Sequence, residues 1–188
     1  MLVCKESVGT VLDTFVEQIV VKKKGAKEYA VIFGSIFGAL LLLAVMVFFL
    51  FRFIGPLLLL VLVGLGYGLW WLITSQNIEY EYSVTNGDID IDQIIAQRKR
   101  KHIVSVRGEK IETFALYNPT EYANRHFDRV VIAAPSEHDE GVWCFSYHSK
   151  KNGHTLVVFA PEERVLSALK AGLPKLLQLE INRKTAQL

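Results

Sequence analysis

From Ala30 to Ile73 the chain carries almost nothing but Leu, Val, Ile, Phe, Ala and Gly, and this run limits what the rest can build. A helix needs roughly 20 apolar residues to cross ~30 Å of hydrocarbon. The run is about twice that length, broken near its middle by Arg52 and then Gly55-Pro56. It reads as two spans, about Ala30–Phe51 and Phe53–Ile73, folded back as a hairpin with its turn at 52–56. Arg52 would cost about 2.5–3.5 kcal/mol at mid-bilayer but little at an interface, where it can snorkel. Pro56 suits the first turn of a new helix, where its missing N–H is no loss. One tilted span plus a buried apolar segment is the alternative; each half is long enough to argue against it.

Flanking charge orients the hairpin. Lys22, Lys23, Lys24 and Lys27 precede it, Arg98, Lys99, Arg100 and Lys101 follow it, and the turn has only Arg52. The positive-inside rule then places both termini in the cytoplasm of a cell (inner) membrane. Tyr29, Tyr67, Trp70 and Trp71 fall at the same inner interface, as aromatic belts do. The run is too long for a signal-peptide core, so cleavage is not expected.

Gly34-Ser-Ile-Phe-Gly38 and Gly64-Leu-Gly-Tyr-Gly68 both read G-x-x-x-G, a spacing that lets helices approach closely in lipid. An antiparallel hairpin sets Gly34 at the depth of Gly68 and Gly38 near Gly64. A tight crossing of the two helices is expected there; a homodimer through one of these faces is the rival. Neither span holds an Asp, Glu, Lys or His. That argues against a proton relay or ion path.

Four regions follow: an arm at 1–28, the hairpin at 29–74, a soluble domain at 78–180 and a tail at 181–188. About 110 residues outside the arm and hairpin suffice for one compact core. A net charge of +2, with basic residues gathered beside the bilayer, points to a juxtamembrane electrostatic role and away from nucleic acid. Cys4 and Cys144 have no metal or disulfide spacing. In the arm, Val8, Val11, Leu12, Phe15, Val16, Ile19 and Val20 recur at helical spacing, predicting an amphipathic helix over about 7–24. It either lies on anionic headgroups, packs on the soluble domain or a partner, or runs on into the first span.

Ile78-Glu-Tyr-Glu-Tyr-Ser-Val-Thr85 alternates as a half-buried strand does, and Asn86-Gly87 is a strong hairpin signal. Further strands are expected at about 88–92, 100–106, 111–117, 128–134, 141–148 and 154–160. Pro161-Glu-Glu opens a helix with proline early and acids at its positive end, its apolar face being Val165, Leu166, Leu169, Leu173, Leu176 and Leu177. Seven strands and a closing helix resemble the pleckstrin-homology-like fold, a bent barrel plugged by a C-terminal helix, in an α+β membrane protein. Tyr80–Asp92, Arg98–Lys101 and Ser105 look like the opening of bacterial membrane-associated members of that fold. With Phe15–Val20, the lysine run and the hairpin, the pattern over about Asp13–Leu177 resembles a bacterial domain-of-unknown-function family of small two-span proteins. That resemblance implies a bacterial membrane protein and brings no activity with it.

Candidate chemistry is sparse. Asp88, Asp90 and Asp92 begin like a calcium loop, but Gln93 and Lys99 stand where Gly and Glu are required. Cross-strand pairing with Arg98–Lys101 fits them better. Those four basic residues either touch anionic headgroups or act only as a topology signal. Cys144, Ser146 and His148 share a strand face with His154 nearby, which leaves open a zinc site or Cys-His dyad without a fourth ligand. His102, His126 and His138 are scattered. The expectation is an anchored adaptor without catalysis or cofactor, binding a protein partner or the anionic membrane surface. An accessory subunit docking through the glycine faces is the alternative, and a membrane enzyme using Cys144 and His148 a second one.

Overall fold

The fold is described from a computed structural model for residues 14–54, 58–122, 125–136, 139 and 141–185, with residues 49–54, 58 and 182–185 described by backbone alone. Strand β1 (Phe15–Val21) comes first, then helices α1 (Ala26–Ile54) and α2 (Leu58–Ser75). Next are β2 (Ile78–Thr85), β3 (Asp88–Ile95), β4 (Lys99–Val106), β5 (Ile111–Leu116), the single turn α3 (Pro119–Tyr122) and β6 (Arg129–Ile132). The chain ends on β7 (Trp143–Ser149), β8 (Gly153–Phe159), α4 (Glu163–Gly172) and α5 (Lys175–Thr185).

The predicted amphipathic helix at 7–24 is not found: its described part is β1. Val16, Ile19, Val20 and Val21 are β-branched and stiff at χ1, which favours a pleated surface. Val16, Gln18 and Val20 turn inward while Phe15, Glu17, Ile19 and Val21 stay exposed. β1 pairs antiparallel with β2 from Phe15↔Thr85 to Val21↔Glu79. The arm is therefore not a region of its own, because its strand belongs to the domain that resumes at Ile78. Residues 1–13, with Cys4 and the first turns of the predicted helix, lie outside the described residues.

Eight described strands replace the expected seven, in two four-stranded sheets ordered β1-β2-β3-β4 and β5-β7-β8-β6. β6 runs parallel to β8; the other pairings are antiparallel. Between the sheets lie Tyr82, Phe145 and Phe159, all fully buried. Phe159 meets the ring of Tyr82 edge-on at 5.7 Å and that of Phe145 at 5.3 Å, an arrangement that aromatic quadrupoles favour. The Tyr82 hydroxyl donates to Ala133 O and accepts from Ala160 N, tying the sheets together. α4 covers the barrel end with Val165 and Leu169.

The single C-terminal helix is in fact two. Pro174 disfavours helical backbone at the residue before it, and Leu173 is extended (φ −71°, ψ 155°). The break turns α5 against β5. It leaves Leu176 exposed instead of on the inward face.

Among the described residues one helix, Ala26–Phe48, is long and apolar enough to cross a bilayer, and no residue of its most apolar stretch is fully buried; Leu59–Ser75 is a shorter apolar helix. α1 continues through Ile54, past Arg52; positions 55–57 of the predicted turn lie outside the described residues. The expected tight glycine crossing is not found. A Cβ built on Gly34, Gly38, Gly64 or Gly68 meets nothing within 4 Å, so those faces are open among the described residues.

At the barrel end away from the helices, three glycines touch. Asn86 (φ 53°) and Gly87 (φ 86°) form the tight left-handed turn of the β2–β3 hairpin. A Cβ on Gly172 would fall 2.5 Å from Gly87 Cα, and one on Gly108 2.7 Å from Gly172 O. Because backbone must move, Gly172→Ala should destabilise the detergent-solubilised protein by about 1–3 kcal/mol in urea unfolding, whereas Gly38→Ala should change little.

Candidate functional site

Both apolar helices leave the domain from one end of the first sheet. The β1–β2 ladder continues past the strands, with Lys22 N donating to Ile78 O at 2.9 Å. Lys23 N donates to Pro135 O at 3.0 Å, and Ala96 N to Asn77 O at 2.8 Å. The roots of α1 and α2 are thus bonded to each other, to the loop after β6 and to the β3–β4 turn.

That turn is strained. Ala96 (φ 54°) and Gln97 (φ 55°) both adopt left-handed backbone, at a cost of roughly 1–2 kcal/mol for each residue that is not glycine. It presents Arg98, whose guanidinium lies over the Trp70 ring of α2 at 5.2 Å. A cation–π contact of this kind holds a charge against the face of an aromatic ring. Tyr29, Tyr67, Trp70 and Trp71 are exposed at this same level of the two helices.

The predicted basic residues divide by what they touch. Lys22 pairs with Glu28 at 2.6 Å, and Glu28 also accepts from Gly25 N at 3.0 Å, tying down the start of α1. Lys23 pairs with Asp139 at 2.8 Å. Lys24 and Lys27 form no ion pair among the described residues and line a cleft of ≈ 480 Å³ whose other wall is Ile132, Ala134 and Pro135. Arg100 is engaged by Glu81 at 2.5 Å and lies 3.8 Å from Asp92. Strand alternation sends Lys99 and Lys101 to the face opposite Arg100; both are exposed. Lysines 24, 27, 99 and 101 with Arg98 therefore form the cationic collar around the helix roots. Arg100 belongs to an acidic row and not to that collar.

The acidic row runs across the outer face of the first sheet. Register aligns Ile19, Glu81, Asp92 and His102, with Glu17, Ser83, Asp90 and Ser105 in the next row. His102 Nδ1 lies 2.7 Å from Asp92. Asp88 accepts from Gly108 N at 3.1 Å instead of meeting a cation. No cluster of three or more metal-type ligands forms among the described residues. Pairing of the aspartates with the basic strand therefore holds for Asp92.

The residues of the Cys-His alternative do not come together. Cys144 is fully buried beneath Tyr122 and Val158, with its thiol pushed up by burial. His148 is exposed four residues along β7, about 13 Å away at strand rise. His148 faces His154 across the hairpin, and Ser146 bonds Thr113 at 2.7 Å. His154 reaches Glu112 at 3.4 Å. His126 is exposed, and His138 lies outside the described residues.

Glu81 shows no signal in sequence beyond its place in the Glu-Tyr-Glu alternation. It is 4% exposed on what should be a solvent face. Burial foremost, then the shared hydrogen bond with Glu17, pushes its carboxyl above the usual range, against the pull of Arg100. A raised folded pKa means stability is complete below the ordinary value of 4.5 and is lost as pH rises through the shifted value. Glu81→Gln should flatten the fall in melting temperature measured upward from pH 4.5, while Glu109→Gln leaves it intact.

Residues 12–178 match the family model described as Bacterial PH-like domain (DUF6106). No curated protein and no solved structure matches the chain.

Proposed function

Since the chain belongs to this bacterial PH-like domain family, we propose that it is a membrane-anchored adaptor without catalysis. Its hairpin crosses the bilayer twice, its cationic collar rests on anionic headgroups, and its barrel is presented to a cytoplasmic protein partner. The observation that carries this reading is the β1–β2 pairing on either side of the helices. A chain that leaves a sheet at Val21 and rejoins it beside the same strand must cross any membrane an even number of times. Because α1 is uncovered and long enough to cross, the even number favoured is two. At 1.5 Å per residue the 18 residues of α2 reach about 27 Å, close to the hydrocarbon thickness.

Orientation rests on charge. The lysines before α1 and the basic residues of β4 lie on the domain's side, where anionic lipid attracts each exposed cation by about 1 kcal/mol. Holding the barrel at the bilayer raises its effective concentration for any partner confined to the same membrane. An accessory-subunit role is favoured by one separate feature, the open glycine faces of α1 and α2. On that second reading, Gly38→Leu releases a copurifying membrane protein that Gly141→Leu retains.

Topology is the test. In whole cells, an impermeant maleimide should label Gly55→Cys from outside and should label Lys150→Cys only after permeabilisation. Labelling of Lys150→Cys in intact cells inverts the topology and removes the cytoplasmic adaptor.

A further inference from the structure

A pocket of ≈ 360 Å³ opens at the barrel end away from the helices, between the end of β4 and the β7–β8 hairpin. That volume falls among those of small-molecule sites. Three segments distant in sequence supply its charges: Asp88 and Asp90 from β3, Arg107 and Lys110 from the link between β4 and β5, and His148 and Lys150 from the hairpin. The cations there lack partners. Elsewhere on the domain Lys22, Lys23, Arg100 and Arg125 each pair with an acid. The side chains of Arg107, Lys110 and Lys150 form no ion pair or hydrogen bond among the described residues. Two carboxylates line the same pocket, yet Asp88 is taken by Gly108 N at 3.1 Å. Asp90 is half-buried and its carboxylate is also without a partner among the described residues. Like charges gathered without a counter-ion repel one another, and an entering anion relieves that repulsion.

Distance excludes a lipid headgroup as the anion. β2 runs eight residues from the helix roots to the Asn86 hairpin, about 26 Å at strand rise. Asp90 then selects among soluble phosphates. It repels a bare phosphate, but accepts hydrogen bonds from hydroxyls carried beside one, as a carboxylate does from ribose. An arginine and two lysines match a run of two or three phosphates. His148 adds an exposed imidazole ring, a surface on which a flat base can stack. We propose that this pocket binds a soluble nucleoside di- or triphosphate, with its phosphates on Arg107, Lys110 and Lys150, its ribose on Asp90 and its base against His148. The barrel thereby carries a second site, facing water at the end opposite the helix roots.

The test uses the full chain in phosphatidylcholine nanodiscs, by equilibrium dialysis in physiological salt without divalent metal. ADP, GDP, adenosine and pyrophosphate are compared. ADP or GDP should bind more tightly than pyrophosphate, and adenosine should bind least. Lys110→Glu with Lys150→Glu should weaken the nucleotide at least about tenfold, and Lys110→Gln with Lys150→Gln should give a smaller loss. Asp90→Ala should weaken the nucleotide and strengthen pyrophosphate, an opposite movement that general unfolding would not produce. Lys175→Glu, on α5, should change neither. The comparison of ligands on the unaltered chain stands whether or not a variant folds. No binding of either nucleotide at millimolar concentration, or adenosine or pyrophosphate binding as tightly as both nucleotides, would overturn the inference. So would loss of nucleotide binding when phosphatidylglycerol is added to the nanodiscs, which would make a lipid headgroup the occupant. None of these readouts depends on membrane orientation or on an adaptor role.

Discussion

The antiparallel pairing of β1 with β2 is the constraint on which the rest depends. It joins residues separated by two apolar helices, and so makes the barrel discontinuous in sequence. A domain joined to a helix by one linker can tumble against it; this one is held at two adjacent roots of the apolar helices. Lys22 bonded to Ile78 and Lys23 bonded to Pro135 leave little freedom at the junction. The Arg98–Trp70 contact adds a third attachment, from the far side of the same sheet. Which face of the barrel points toward the helices is thereby set by backbone hydrogen bonds.

Electrostatics then separates residues that look equivalent in a string of letters. Arg98-Lys-Arg-Lys101 reads as one basic block, yet strand alternation gives its members different work. Arg98 lies on an indole, Arg100 neutralises a buried glutamate, and Lys99 with Lys101 remains exposed. Exposed ion pairs contribute about 0–1 kcal/mol. Arg100–Glu81 differs because the carboxylate is buried, so removing Arg100 alone would leave a charge uncompensated.

β2 and β3 were readable because apolar and polar residues alternate in them, and β8 because a short apolar run, Leu156 to Phe159, follows a turn at Lys151-Asn-Gly153. Asn86-Gly87 marked its hairpin without ambiguity. β1 was not readable as a strand, since Val8 to Val20 satisfies helical spacing and only tertiary pairing decides between the periods. The break after α4 was signalled by Pro174, but the continuing leucines masked it. Glycine spacing in the helices was visible, whereas what those faces meet was not. The basic residues of the collar were identifiable as a group; the engagement of Arg100, the burial of Glu81 and the pocket at the end of β4 depend on register and on sheet order. No local pattern encodes those.

Interrupting a sheet with a hairpin also orders events on the ribosome. β1 emerges first and must wait for its neighbour until both helices have been made, several seconds at about 5–20 residues per second. On the two-span topology proposed above, β2 would return to β1 only in chains whose second helix had also inserted. Chains that stall halfway keep an orphan strand edge and an unfinished core, the kind of surface that proteases recognise. On that topology, completion of the barrel would report on insertion, and the nascent protein would carry its own checkpoint.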